Sequence, residues 1–563
     1  MLPTFETLPV QQAGVVLAAV LAAGVVWWLD RPAGRWGRQL RARFVAGVPW
    51  GTVVTLCFVL AVYLFVQGGL DHWFTPMVIP FTAWSYTYPL GMVTAPFSHS
   101  GPSHLVGNLV GTLTFAPLVE YAWGHFPRER GTSSFSSWRT NPYVRAFVLF
   151  PGTVVGVGLA TSFFGLGPII GFSGAVFAFA GFALVYYPLA TVLALVAGQV
   201  LRLAYGAFLR PVSRVSSQQI FSTPWFADIA LQGHALGFLL GVVVALWLSE
   251  RRGDAHPSAL RLWTGVLLFS VAQSLWAVYW FRGNGEFVLY RAGGLALVTL
   301  LATLVTVAVR ADGTRVFAHW DAAGVGRTDT LRGSLSRLSQ QRLAFVTLLL
   351  VTALLAGPGA GVNLLTVADG DDLSNQNVTV RGYEVTYAEN VENRMVAVAD
   401  VEAFGETTTV NTSGVIVRND DRNIWITAVP KSRLAFDGSV PVRVGGVGWR
   451  ETVLATRDGW DVVGGGSVYR VALTVDDEKT PVFASEPVRA EPVLAGQNVS
   501  LGADSEGYYL LVKRDNETRR RPLPATNETV TVANLEFTND GKKIVARTDT
   551  GTKVRVASNE TYN

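Results

Sequence analysis

The stretch GFSGAVFAFAGFALVYY, residues 171–187, encloses a serine between two glycines and then continues as an unbroken apolar run. This pattern predicts a membrane-buried helix whose first turn carries Ser173. Backbone N–H groups in a first turn are unpaired and carry partial positive charge, which favours an oxyanion beside Ser173. Gly171 and Gly174 permit a tight entry and a close neighbouring helix. Helix packing explains the same residues, and this stretch alone favours packing over catalysis.

A histidine stands near the start of a later apolar run, at about the same depth as the serine. Around His234, three glycines at positions 233, 237 and 241 recur every four residues. They predict a smooth helix face that presses against the helix of Ser173. A histidine buried in lipid is costly without a partner, so a role as the base for Ser173 is favoured over a packing or headgroup position.

An earlier apolar run carries two hydrogen-bond donors on one face. His104 and Asn108 are four residues apart, and both side chains can donate to a developing negative oxygen. Glu120 lies deeper in the same run and is expected to tie helices or loops together rather than perform chemistry.

The composition divides the chain of 563 residues into two unlike parts. Residues 1 to about 368 are long apolar runs with few charges, as in a lipid-facing helical bundle. From about residue 370 the chain alternates in the manner of short strands rich in Val and Thr. The net charge is −6 from residue 371 onward and +10 before it, so the basic character belongs to the membrane part and does not indicate nucleic-acid binding.

Ten apolar runs predict ten membrane spans, near residues 12–29, 49–70, 102–124, 144–163, 172–187, 189–209, 229–249, 261–281, 287–309 and 343–367. Arginines cluster after the first, third, seventh and ninth runs. By the positive-inside rule these loops are cytoplasmic, which places both the N-terminus and the C-terminal domain outside a cell membrane.

Glycosylation sequons are confined to the part that the arginines place outside. They begin at Asn377, Asn411, Asn498, Asn516, Asn527 and Asn559. Such sequons also arise by chance in chains rich in Asn and Thr. Their confinement fits a glycosylated extracellular domain.

The three polar motifs together, in this order, resemble the rhomboid family of intramembrane serine proteases. That family has six core spans, with His-x-x-x-Asn on the second, Gly-x-Ser-Gly at the start of the fourth and His-x-x-Gly-x-x-x-Gly on the sixth. Here the motifs fall on spans three, five and seven. The resemblance implies an archaeal-type member with about four extra spans and an extracellular domain. The expected fold class is therefore an α-helical polytopic membrane protein with a C-terminal all-β soluble domain.

The resemblance also implies the role of each residue. Ser173 resembles the nucleophile and His234 its base, while Asn108 and His104 resemble the oxyanion hole. Gly171, Gly174, Phe177, Gly237 and Gly241 would support them. The sequence departs from the family in having Phe177 where many members have tyrosine, and in lacking a Trp-Arg pair within residues 71–101.

The domain boundaries follow from the same alignment of motifs and runs. Residues 1–48 are expected to form an extra span with an Arg-rich cytoplasmic loop, and 49–250 the protease core. Residues 251–368 would add three spans, and 369–563 a β-rich domain.

The expected function is cleavage of membrane-anchored proteins near the outer face of the membrane, by a Ser173–His234 dyad. Transmembrane substrates and the lipid bilayer are the expected partners, with no nucleic acid, cofactor or metal. The alternative is a catalytically silent rhomboid-like receptor or assembly factor that binds through its β domain.

Overall fold

The computed structural model describes residues 10–30, 34–126, 131–209, 211, 222–227, 229–283, 286–311, 339–365, 376–393, 402–403, 406–407, 411–514 and 517–563. The chain divides into two compact units. The helical unit comprises residues 1–217, 228–279 and 289–365, and the second unit comprises 218–227, 280–288 and 366–563.

The helical unit consists of apolar helices joined by short connections. The helices are α1 (Val10–Asp30), α2 (Arg35–Arg43), α3 (Trp50–Ala61), α4 (Pro89–Thr94), α5 (Pro102–Trp123), α6 (Pro142–Val144), α7 (Phe150–Phe163), α8 (Ser173–Tyr186), α9 (Pro188–Leu209), α10 (Leu231–Arg252), α11 (Ala259–Ala272), α12 (Arg291–Arg310) and α13 (Gln340–Leu365). A π-helical turn, Arg145–Leu149, joins α6 to α7, and another, Val62–Val66, extends α3.

Seven helices among the described residues are long and apolar enough to cross a membrane: α1, α5, the continuous α6–α7, α9, α10, α12 and α13. The extended α3, α8 and α11 are shorter apolar helices. Each of the ten predicted runs therefore contains a helix. The predicted helical polytopic fold is confirmed, and the chain is a multi-pass membrane protein.

The helix α8 is the buried centre of the helical unit. Its residues from Gly174 to Val185 are all buried, and it contacts α5, α7 and α10. Its 14 residues extend about 21 Å at 1.5 Å per residue, less than the ~30 Å thickness of a bilayer core. At least one end of α8 therefore lies within the depth of the membrane, surrounded by protein.

The eighth predicted span differs from the observed structure. The apolar run 261–281 was expected to be one helix, but α11 ends at Ala272. Ser274 has a φ of 59°, a left-handed conformation that no α-helix continues. The aromatic residues 279–281 belong to a hairpin of β1 (Tyr279–Gly283) and β2 (Glu286–Leu289). Hydropathy alone does not separate these strand residues from the helix before them.

The second unit is built from antiparallel strands, as the alternation after residue 370 predicts. They are β3 (Val378–Val380), β4 (Tyr383–Glu392), β5 (Glu402–Ala403), β6 (Glu406–Thr407), β7 (Asn411–Asn419), β8 (Ile424–Pro430), β9 (Ser439–Gly446), β10 (Trp449–Val462), β11 (Ser467–Val475), β12 (Glu478–Ala484), β13 (Val488–Leu494), β14 (Gln497–Ala503), β15 (Tyr508–Arg514), β16 (Glu517–Pro522), β17 (Glu528–Val532), β18 (Leu535–Asn539), β19 (Lys543–Arg547) and β20 (Lys553–Asn559). One short helix, α14 (Lys431–Asp437), follows β8.

The strands form three main sheets. Their orders are β3-β4-β7-β8, β13-β14-β15-β16, and β12-β11-β10-β20-β19-β18-β17 with β9 paired to β10. Inward residues of β14 and β15 share a hydrophobic cluster with those of β18, β19 and β20, including Leu501, Leu510, Phe537 and Ile544. Two sheets therefore pack face to face, and the predicted all-β domain is confirmed.

Glu120 on α5 holds the N-terminus of α3. One carboxylate oxygen accepts hydrogen bonds from the Gly51 N–H at 2.7 Å and lies 2.6 Å from His125 Nε2. The other accepts from the N–H and the hydroxyl of Thr52 at 2.8 and 2.7 Å. His125 Nδ1 accepts from the Val45 N–H, so Nε2 carries the proton and donates to Glu120. Glu120 thus caps the unpaired first N–H groups of a neighbouring helix.

We expect Glu120→Ala to destabilise the helical unit by about 3–5 kcal/mol, because four buried donors lose their acceptor at once. Thermal unfolding of the purified protein in detergent measures the change. Glu250→Ala, at an exposed position of α10, is the matched control and should leave the melting temperature unchanged. Equal melting temperatures for both variants would contradict the capping role.

Candidate active site

The segment before α8 brings Ser173 to the first position of a helix. Gly171 has a φ of 127°, which a residue with a side chain rarely adopts. A Cβ on Gly171 would lie 2.5 Å from His104 Cε1, so there is also no room for one. The Gly171 N–H donates to the Ala95 carbonyl at 2.9 Å. The backbone conformation of Gly171, its close approach to His104 and its hydrogen bond to Ala95 together fix the direction in which the chain enters α8.

Backbone contact between α8 and α10 sets the distance between serine and histidine. A Cβ on Gly237 would lie 2.1 Å from the Gly174 carbonyl oxygen, and one on Gly241 would lie 2.0 Å from that of Ala178. Gly181 on α8 makes the reciprocal approach to the Phe238 carbonyl. Any side chain at these glycines would force the helices apart. Gly233, the third glycine of the predicted face, has open space beside it.

Ser173 and His234 are hydrogen-bonded to each other. The distance from His234 Nε2 to Ser173 Oγ is 2.8 Å. The opposite nitrogen, Nδ1, is buried and has no hydrogen-bond partner among the described residues. A proton on Nδ1 leaves Nε2 free to accept the hydroxyl proton of the serine. Among the described residues no carboxylate hydrogen-bonds to Nδ1, so the arrangement is a serine–histidine pair without a third, acidic member.

Phe177, one turn after Ser173, packs against one face of the His234 ring. The two rings are stacked, with centroids 4.3 Å apart and planes within 10°. Phe269 of α11 packs edge-on against Phe177 and is stacked with Phe238 of α10. The imidazole plane is therefore fixed by aromatic side chains from α8, α10 and α11.

His104 and Asn108 converge on the segment that leads into Ser173. The Asn108 amide nitrogen would lie 3.7 Å from a Cβ placed on Gly171, and the His104 Nε2 2.6 Å from it. Asn108 Nδ2 is buried and has no hydrogen-bond acceptor among the described residues. His104 Nδ1 pairs with Ser100 Oγ at 3.1 Å, which directs Nε2 toward Gly171. Two donors with this placement suit an anionic oxygen near Ser173.

An open cleft borders Ser173 and His234. Its lining includes Pro96, Thr161, Ile170, Ser173, Ala230 and His234. Sequence reasoning missed Thr161 and Ser100, because a lone hydroxyl in a helix or loop carries no spacing signal. It also missed Phe269, because nothing in the apolar run around Phe269 distinguishes this residue from its neighbours. Among the described residues no group of three or more His, Cys, Asp or Glu is arranged to hold a metal ion.

The helical fold and the half-buried, hydrogen-bonded serine and histidine define a polytopic membrane protein with a candidate site for hydroxyl chemistry. Residues 84–251 match the family model of the Rhomboid domain, so this part of the chain is a rhomboid domain. The matched range contains Ser173, His234, His104 and Asn108. The comparisons with curated proteins and with solved structures gave no match.

Proposed function

We propose that the protein is an intramembrane serine endopeptidase that cleaves membrane-anchored proteins. The single observation that supports this most is the 2.8 Å hydrogen bond between Ser173 Oγ and His234 Nε2 at the start of the buried helix α8. A helix-packing role for the serine would not require a histidine at this distance. The proposed protease core comprises residues 49–250.

In the proposed reaction His234 acts first as base and then as acid. Nε2 takes the proton from Ser173 Oγ as the oxygen attacks the peptide carbonyl carbon. The same proton passes to the amine of the leaving segment when the peptide C–N bond breaks. Water then attacks the acyl-enzyme with His234 again as base, releasing the new carboxylate and the free serine.

The oxyanion of each tetrahedral intermediate would be held by three donors. They are the Ser173 backbone N–H at the N-terminus of α8, the Asn108 amide and the His104 imidazole. Gly171, Gly174, Gly237 and Gly241 allow the close approaches that bring these groups together, and Phe177 fixes the imidazole plane. No cofactor takes part in these steps.

The proposed substrates are transmembrane proteins within the bilayer. Backbone groups paired in a helix cannot reach a serine, so the substrate must unwind locally at the bond that is cut. Helix-breaking Gly or Pro residues near the cleavage site lower the cost of this step.

Labelling with a fluorophosphonate tests the function directly, because this probe reacts with an activated serine. We expect covalent labelling of the full-length protein in detergent, at Ser173, as located by mass spectrometry of the modified peptide. An unlabelled Ser173 in a folded sample would support the catalytically silent alternative.

We also propose that the N-terminus and the β domain lie outside the cell membrane, on the basis of the arginine placement and the confined sequons. Four sequon asparagines are exposed: Asn377, Asn411, Asn527 and Asn559. Asn498 is half-buried, and Asn516 lies outside the described residues.

A cysteine-labelling experiment checks this orientation. Cys57 is the single native cysteine, so Cys57→Ser gives a background without thiols. In intact cells a membrane-impermeant maleimide should label Asn527→Cys and leave Ser137→Cys, in the exposed loop before α6, unlabelled until lysis. The reverse pattern would invert the topology.

A further inference from the structure

The turn that joins α7 to the segment before Ser173 is held by side-chain amides from two other helices. Asn363 of α13 donates from Nδ2 to the carbonyls of Phe163 and Gly165, at 3.1 Å each. Gln232, two residues before His234, donates to the Phe164 carbonyl at 2.9 Å and accepts from the Leu166 N–H at 2.9 Å. These amides satisfy the backbone groups that the end of α7 leaves unpaired.

The helix α13 touches this turn without an intervening side chain. A Cβ on Gly359 would lie 2.1 Å from the Phe164 carbonyl oxygen. The Gln232 amide also donates to the Leu355 carbonyl, so α10 and α13 hold the turn together. Most residues of α13 are apolar, as in a helix that faces lipid, but the polar side chain of Asn363 is only 1% exposed. A buried amide in a membrane helix is costly unless its polar groups are paired, and here Nδ2 makes two hydrogen bonds.

The same asparagine also fixes the loop that precedes α4. Its main-chain carbonyl accepts from the Tyr86 N–H at 3.0 Å and from Ser85 Oγ at 3.2 Å. Tyr86 in turn donates its hydroxyl to the Phe163 carbonyl at 2.6 Å and stacks on the Phe163 ring. Asn363 is thus hydrogen-bonded both to the loop before α4 and to the turn after α7.

Two backbone hydrogen bonds connect this region to the segment that leads into Ser173. The Ala83 N–H donates to the Ile169 carbonyl at 3.0 Å, and the Gly171 N–H donates to the Ala95 carbonyl at 2.9 Å. Ile169 and Gly171 lie between the turn and Ser173. A shift of the turn therefore moves the entry of α8 relative to α10, which carries His234.

We propose that α13 is a positioning element of the active site, and that Asn363 is its principal positioning residue. The inference rests on the proposed function, since it concerns the placement of the same dyad. The helix lies outside residues 84–251, the range of the Rhomboid domain. The site is consequently completed by a helix that the domain itself does not supply.

The test compares Asn363→Leu with wild type in the full-length protein. Leucine keeps the approximate volume but removes both donors. Displacement of reacting groups by about 1 Å is enough to lower a rate about 100-fold. We expect kcat for a transmembrane reporter, and the rate constant for fluorophosphonate labelling of Ser173, to fall by about 10–100-fold. KM should stay within about twofold of wild type, because the substrate does not contact Asn363 in this proposal.

Two further measurements separate positioning from folding. The final extent of labelling measures the fraction of molecules that are folded and reactive. The rate constant for labelling measures how well the reacting groups are placed within each folded molecule. A positioning role lowers the rate constant at nearly full extent, and a purely structural role lowers only the extent. Gln340→Leu, which removes an exposed amide from the other end of α13, should match wild type in both.

A wild-type rate constant for Asn363→Leu would overturn the inference, whatever its melting temperature. Failure of the proposed function is distinguishable, since then wild type itself would not label at Ser173. Gly359→Ala provides an independent variant: the added methyl group pushes α13 from the turn and should lower the rate constant in the same direction.

Discussion

We expect Ser173→Ala and His234→Ala each to lower the turnover of a membrane-anchored reporter by about 10⁴-fold or more. In the proposed mechanism the serine supplies the attacking oxygen, and the histidine takes and returns its proton through the 2.8 Å hydrogen bond. Because the two residues act as one unit, the double variant should be no worse than either single variant. Cleavage of a co-expressed reporter, followed by kinetics of the purified protein, measures the effect.

Matched controls come from the same helix region. Ser249→Ala removes a buried serine near the end of α10 whose hydroxyl donates to the Leu246 carbonyl of the same helix, and His256→Ala removes a histidine just beyond α10. Both should retain wild-type turnover. Cleavage at wild-type rates by Ser173→Ala or His234→Ala would eliminate the dyad.

We expect Asn108→Ala to lower kcat by about 10²–10³-fold, the usual cost of losing one oxyanion donor when others remain. The Ser173 N–H and His104 should still stabilise the intermediate, so residual activity is expected. KM should change little, because the ground-state carbonyl oxygen does not occupy the position of the oxyanion. The buried amide nitrogen of Asn108, which has no acceptor among the described residues, supports a role in the transition state over one in folding.

A second asparagine gives the contrasting result. Asn141 caps the N-terminus of α6 by accepting from the Tyr143 and Val144 N–H groups. Asn141→Ala should lower stability by about 1 kcal/mol and leave kcat unchanged. If Asn108→Ala behaved in the same way, with lower stability and normal specific activity, Asn108 would be a packing residue.

Much of the fold could be predicted from local sequence, because the apolar interior of a membrane restricts which backbone structures can cross it. An apolar run must satisfy its backbone hydrogen bonds internally, so hydropathy places a helix in each of the ten runs. The rule failed at residues 273–281, where the aromatic residues of a strand continue the apolar run. Period-2 alternation likewise predicted the β domain, but strand order depends on pairing between distant segments and cannot be obtained from one segment.

The sequence by itself placed Ser173 and His234 near the starts of two apolar runs, and it supplied the glycines at 237 and 241. Their side chains meet only in the tertiary structure, because the contact of Gly237 with the Gly174 carbonyl sets the depth of one helix against the other. The proposed role of Asn363 also could not be predicted from the sequence. Its partners at residues 85, 86, 163 and 165 are about 200 or more positions away, and an isolated amide in an apolar helix has no spacing that identifies them. Local patterns fix which residues are buried, whereas packing of distant helices decides which buried polar groups face each other.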